Sequence, residues 1–314
     1  MKLSAADCLR RGWTNLSANW ELVVIQWLES FLFVALLLLG LLPLFLIVGP
    51  DAMGGAAREL EAALHRLFRH PQALFLGLLA MLAVWLLAIL VHCYFQAGAF
   101  GVLASGDRQA LPGLPRHRLL FRTFSLRDFL GWGARYVWRF LGLFACFWGA
   151  LFLLGVAVVV WLVSTLAGGG RWGSPAALAI GCGWFMPLGF LVLVTALWFG
   201  LAQADLAREG SGVRAASRRG LDVLGRRLGA VILLFALILL AALALAIVFL
   251  PLGAAADALL AGAPSARALV RFLLILLQSF PNTLLAMVLA GSLVALVRSE
   301  MPSEFRRNPE VATA

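Results

Sequence analysis

Polar side chains set in strongly apolar surroundings are the first residues to examine for chemistry. In "LVVIQWLESFL" (22–32), Gln26, Glu29 and Ser30 fall three and four residues apart, so one helix face carries an amide, a carboxylate and a hydroxyl. "AILVHCYFQAG" (88–98) places His92 and Gln96 one turn apart, and "FGLAQADLA" (199–207) adds Gln203 and Asp205. In "LLQSFPNTLL" (276–285), Gln278 and Asn282 share a face and Pro281 frees the carbonyl of Leu277. Polar groups inside lipid cost free energy, which makes each a functional candidate. Two readings fit them. They are hydrogen-bonding glue between helices, or they line a substrate cavity with Pro281 as the hinge of a kinked helix.

Other constellations are missing from the sequence. His65 and His70 lie five apart with no HExxH, and Glu29 is the only acid well inside an apolar run. "GGGRWG" (168–173) lacks the Lys-Ser/Thr of a phosphate loop, and Ser217 is not in a GxSxG setting. The four cysteines form no CxxC pair and read as small apolar residues. The expectation is a protein that is not an enzyme and takes no cofactor or metal.

The elements that must position these groups are membrane helices. The chain of 314 residues is 63% hydrophobic and 13% charged, with mean hydropathy +0.97. A soluble domain has about 45–50% apolar and about 25% charged residues. Six apolar runs, roughly 22–49, 73–103, 137–167, 176–204, 228–253 and 269–297, each exceed the roughly 20 residues needed to cross a bilayer. Sustained alternation of period two, which strands would need, is missing. If the first run meets the hydrocarbon near Leu22, Glu29 lies about 10 Å in, at the depth of Gln96 and one turn short of His92. A partner for Glu29 is therefore expected among His92, Gln96, Arg135 and Arg139.

The net charge of +10 is distributed unevenly. The N-terminus, the second and fourth connections and the C-terminus hold three, seven, six and three Lys/Arg, nineteen together. The first, third and fifth connections hold three, one and two. By the positive-inside rule both termini face the cytoplasm of a bacterial inner membrane. "ASRRGLDVLGRRLGAV" (216–231) puts Arg218, Arg219, Arg226 and Arg227 beside the start of the fifth run. They read as topological anchors, or as contacts for anionic lipid head groups. Nucleic acid is not expected as a partner, because no binding module accompanies the charge.

One membrane domain is expected over residues 1–314, without a cleavable signal peptide. "RHRLLFRTFSLRDFLGWGARYVWRF" (116–140) reads as a basic surface helix, with Leu120, Phe121, Phe124 and Leu126 facing apolar material before the chain turns into the third span. "AARELEAALHRLFRH" (56–70) reads as a similar helix in the first outer loop. "LRRGWTNLSANWELVV" (9–24) and "SRRGLDVLGRRLGAVI" (217–232) share Arg-Arg-Gly at an offset of 208. "YFQAGAFGVLASGD" (94–107) and "WFGLAQADLAREGS" (198–211) match at 104, half of that. An all-α fold of three repeated hairpins follows, each behind a basic amphipathic lead-in, although the middle lead-in does not align without gaps.

With its six spans and the stretch "ADLAREGSGVRAASRRGLDVLGRRLG" (204–229), the chain resembles a bacterial inner-membrane group that includes the membrane portion of certain glycerophosphodiester phosphodiesterases. In those fused enzymes a separate soluble barrel is catalytic, and this chain has no such domain. The resemblance thus implies a membrane protein without catalysis. The expected role is an accessory or scaffolding subunit, with membrane lipids, protein partners or further copies of itself as partners. The alternative is a small permease or lipid-handling protein with a polar cavity near the cytoplasmic leaflet.

Overall fold

A computed structural model describes residues 3–48, 71–110, 118–167 and 175–300. The expected outer-loop helix over 56–70 and the "GGGRWG" turn lie outside the described residues. The described residues form seven α-helices: α1 (Ala5–Ala18), α2 (Glu21–Val48), α3 (Pro71–Gln109), α4 (Leu126–Ala167), α5 (Pro175–Glu209), α6 (Val213–Leu259) and α7 (Pro264–Ser299). Six of them, α2 to α7, are long and apolar enough to cross a membrane. The chain is an all-α polytopic membrane protein. Leucines such as Leu38, Leu239 and Leu250 stay exposed around its girth, as a lipid solvent permits.

The lead-in segments differ from expectation in one respect. No turn separates a surface helix at 116–140 from the third span. Instead a single 3-10 turn (Arg118–Phe121) precedes α4, which runs unbroken from Leu126. The reason is local: Ser125 Oγ accepts the Asp128 N–H at 3.0 Å and donates to its carboxylate at 2.7 Å, which starts the helix there. Ser4 does the same for Asp7 at the start of α1.

These caps bring the three lead-ins into one register that ungapped comparison missed. Ser4, Ser125 and Gly212 each precede a helix, and each lies eight residues before a glycine (Gly12, Gly133, Gly220). Four residues after each cap stands a buried side chain, Cys8, Phe129 or Ala216. Fifteen residues after it the backbone leaves helical geometry in two of the three units. Asn19 has φ −119° and ψ 46°, and Arg227 has φ −131° and ψ 26°. The corresponding Phe140 stays helical within α4.

Packing is cyclic. Each lead-in lies against the second helix of a neighbouring hairpin: α1 on α7, the start of α4 on α3, the start of α6 on α5. Small residues let the backbones meet. A Cβ on Gly12 would lie 2.6 Å from Ser292 N and 2.8 Å from the Val288 carbonyl, and one on Gly220 3.1 Å from Ala202 N. The second helices α3, α5 and α7 also touch one another pairwise and form the centre of the bundle. Gly210, at φ 60°, ends α5, where only the absence of a Cβ makes the left-handed turn inexpensive.

Candidate functional site

Two polar layers cross this centre. The first surrounds a cavity of about 310 Å³ among α2, α3, α5, α6 and α7. Gln26, Glu29, His92, Gln96 and Gln203 all line it, with Ser30 beside them. Glu29 is 3% exposed, and its Oε1 lies 3.0 Å from His92 Nδ1. A proton on Nδ1 makes that ring nitrogen the donor and leaves Nε2 free to accept. Of the four partners expected for Glu29, the geometry selects His92. The Gln96 Nε2 group donates instead to Gln26 Oε1, at 3.1 Å. Among the described residues the Gln26 amide nitrogen has no hydrogen-bond partner, although the residue is only 4% exposed. Phe100, Phe199, Phe235 and Leu293 supply the apolar wall.

Helical periodicity explains this convergence. Gln26, Glu29 and Ser30 occupy one face of α2, and His92 and Gln96 one face of α3. Those two helices are the arms of one hairpin, so the two stripes oppose each other at matching depth.

The residues of α7 behave differently. Gln278 and Asn282 do not line the cavity, and Asn282 is exposed. Thr283, next to Asn282, and Met287, just over one turn beyond Asn282, take the place facing it. Pro281 lines a separate apolar groove with Trp27, Phe249 and Phe280, where Trp27 Nε1 donates to Ser279 Oγ at 2.8 Å. The helix α7 continues on both sides of Pro281, and the break in backbone geometry falls at Arg227 of α6.

The second layer lies at the basic ends of the inner helices. Asp107, at the end of α3, is 1% exposed and binds two arginines. Arg11 of α1 reaches its Oδ1 through Nε at 3.0 Å and Nη2 at 2.8 Å, and Arg298 of α7 reaches its Oδ2 at 3.1 Å. One carboxylate thus ties α1, α3 and α7 together. Beside it Asn15 Nδ2 donates to the Leu103 carbonyl at 2.8 Å. Asn19, fully buried, donates to the Phe121 carbonyl at 2.7 Å and accepts the N–H groups of Thr123 and Phe124 at 2.9 and 2.8 Å. That one amide fixes the connection ahead of α4.

The arginine quartet of 218–227 divides by role. Arg219 turns inward to Asp205 at 3.2 Å, and Arg227 lies 3.3 Å from Glu300 and donates to the Leu3 carbonyl. Arg218 and Arg226 are exposed. The second layer, with Asn15, Asn19, Asp107, Arg208 and Arg298, was not singled out from the sequence as a site. The one available signal was an acid beside an arginine at a helix end, as in Asp107-Arg108 and Arg208-Glu209. Among the described residues no group of three His, Cys, Asp or Glu could hold a metal ion.

No protein-family profile, curated protein or solved structure matches this chain.

Proposed function

We propose that this protein binds a small polar molecule within the membrane, as a permease or a lipid-handling protein, and carries out no covalent chemistry. The membrane is a bacterial inner membrane, with both termini and the basic ends of the inner helices in the cytoplasm. The excess of Lys/Arg on that side supports the orientation.

One observation carries the reading. The Gln26 amide nitrogen is buried without a partner at the wall of a central cavity where Glu29, His92, Gln96 and Gln203 also converge. Helix glue satisfies its own hydrogen bonds, whereas an unpaired buried donor costs about 1–3 kcal/mol until an acceptor arrives. The cavity volume of about 310 Å³ is at the small end of ligand pockets, which span about 300–1,000 Å³. A scaffold needs no such cavity, and this moves the reading from accessory subunit to binding protein. The occupant accepts a hydrogen bond from Gln26 and presents a polar edge to Glu29 and His92 and an apolar edge to the phenylalanines.

The test is mass spectrometry of the small molecules and lipids retained by protein purified in mild detergent. A polar molecule that co-purifies with the parent, and is lost in Gln26→Leu and Glu29→Leu variants that still fold, supports the proposal. Retention unchanged by both substitutions, with stoichiometric protein partners in the same preparation, would return the chain to the scaffold class.

A further inference from the structure

The inner helices α3, α5 and α7 each carry an arginine as the last residue but one: Arg108, Arg208 and Arg298. Arg108 Nη1 donates to the Arg208 carbonyl at 3.3 Å, and Arg298 Nη1 donates to the Ala110 carbonyl at 3.3 Å, so the three ends lie together. Arg208 is within electrostatic reach of both other arginines.

The carboxylates of this layer are already engaged. Asp107 serves Arg11 and Arg298; Asp205 and Glu209 face Arg219 at 3.2 and 4.0 Å; Glu300 faces Arg227 at 3.3 Å. Among the described residues Arg108 and Arg208 are left without a carboxylate of their own. Arg108 is exposed and held over the Trp132 ring, 5.6 Å from its centroid. Arg208 is 9% exposed, and neither its Nε nor its Nη1 has a hydrogen-bond partner.

A buried guanidinium lacking hydrogen-bond acceptors is costly, and it cannot shed its proton at physiological pH. Asp107 and Glu209 lower that cost from a distance but supply no acceptor to Nε or Nη1. An external anion supplies both charge and acceptors. Guanidinium forks pair with phosphate in bidentate fashion, so arginines gathered at neighbouring helix ends suit a tetrahedral oxyanion.

We propose that Arg208, with Arg108 and Arg298, forms a binding site for a phosphate-class oxyanion at the basic end of the three inner helices. The phosphate is either a free ion or the phosphodiester of a lipid head group. Arg208 follows Gln203 by five residues, about 7.5 Å along α5, so the site lies between the aqueous face and the central cavity. It rests on its own residues and stands or falls apart from the occupant of that cavity.

The experiment uses full-length protein, delipidated in maltoside micelles and free of phosphate. Thermal unfolding is followed as inorganic phosphate is added against chloride at matched ionic strength, and in parallel as phosphatidylglycerol is added to the micelles. The parent should show a saturable rise in Tm. A rise with inorganic phosphate identifies a free ion, a rise with phosphatidylglycerol alone identifies the lipid, and either supports the site. Arg208→Gln should unfold no lower than the parent in phosphate-free buffer, since an uncompensated charge is gone, and should bind at least about tenfold more weakly. Should Arg208→Gln fail to fold, Arg108→Gln at the exposed position should fold and still weaken binding. No saturable rise in the parent with either ligand overturns the proposal, as does unchanged binding in a folded Arg208→Gln or Arg108→Gln protein.

Discussion

Replacing Asp107 by Asn keeps the shape of the side chain and removes its charge. Its carboxylate is 2% exposed and faces the side chains of Arg11, 7% exposed, and Arg298, 14% exposed. Three hydrogen bonds of 2.8–3.1 Å from the two guanidiniums end on it. With so little water within reach, neither arginine recovers its hydration when the carboxylate is neutralised. Breaking a buried ion pair from one side costs about 3–5 kcal/mol, mostly through the charge left unpaired. Asp107→Asn should therefore lose at least about 3 kcal/mol of unfolding free energy in mixed-micelle titrations. The double variant Arg11→Met/Asp107→Asn removes one stranded charge and should be more stable than the single, although it lacks one more native side chain. Added salt should not close the gap, because the pair is shielded from counter-ions. The refuting result is an Asp107→Asn protein within about 0.5 kcal/mol of the parent, the range of surface substitutions. The carboxylate would then not be what holds α1, α3 and α7 together.

Asn19→Ala strands the Thr123 and Phe124 N–H groups and the Phe121 carbonyl, and should cost at least about 2 kcal/mol in the same titration. Glu29→Gln should fold with nearly the parent's Tm in detergent, since the amide oxygen still accepts from His92, whereas Glu29→Leu leaves His92 Nδ1 unpaired and should unfold several degrees lower. Burial pushes the Cys8 thiol from 9.0 up to about 12, so at pH 8.5 it should resist maleimide in the folded protein and react once unfolded. The same rise works against the fold in alkali. The unfolded chain releases the thiol proton first, so this stability is complete below pH 9.0 and declines as pH climbs toward about 12. A parent and Cys8→Ala pair should therefore diverge as pH rises from 9.0 toward about 12, with the parent losing more.

The sequence by itself determined the class of solvent, the six spans and the depth of the polar groups. Those follow from local rules: run length against bilayer thickness, and 1.5 Å of rise per residue. They placed Glu29 and Gln96 at one depth with His92 one turn deeper, and a hairpin brings such stripes face to face. The three lead-ins were legible in part. Arg-Arg-Gly is shared by the first and third, but the middle lead-in aligns with them only by counting from its cap, Ser125, to Gly133, which needs the helix start to be known. Which residues of α7 face the cavity was decided by tertiary structure alone. Gln278 and Asn282 point elsewhere because a helix's rotation about its own axis is set by its neighbours, here by Gly12 against Gly291 and Trp27 against Ser279. The Asp107 cluster and the unpartnered Arg208 were hidden for a related reason. An arginine at a helix end reads as a topological anchor whether it lies in water or deep in a bundle. Only the packing of α1, α3, α5 and α7 separates those that meet a carboxylate from those, such as Arg208, that meet none among the described residues.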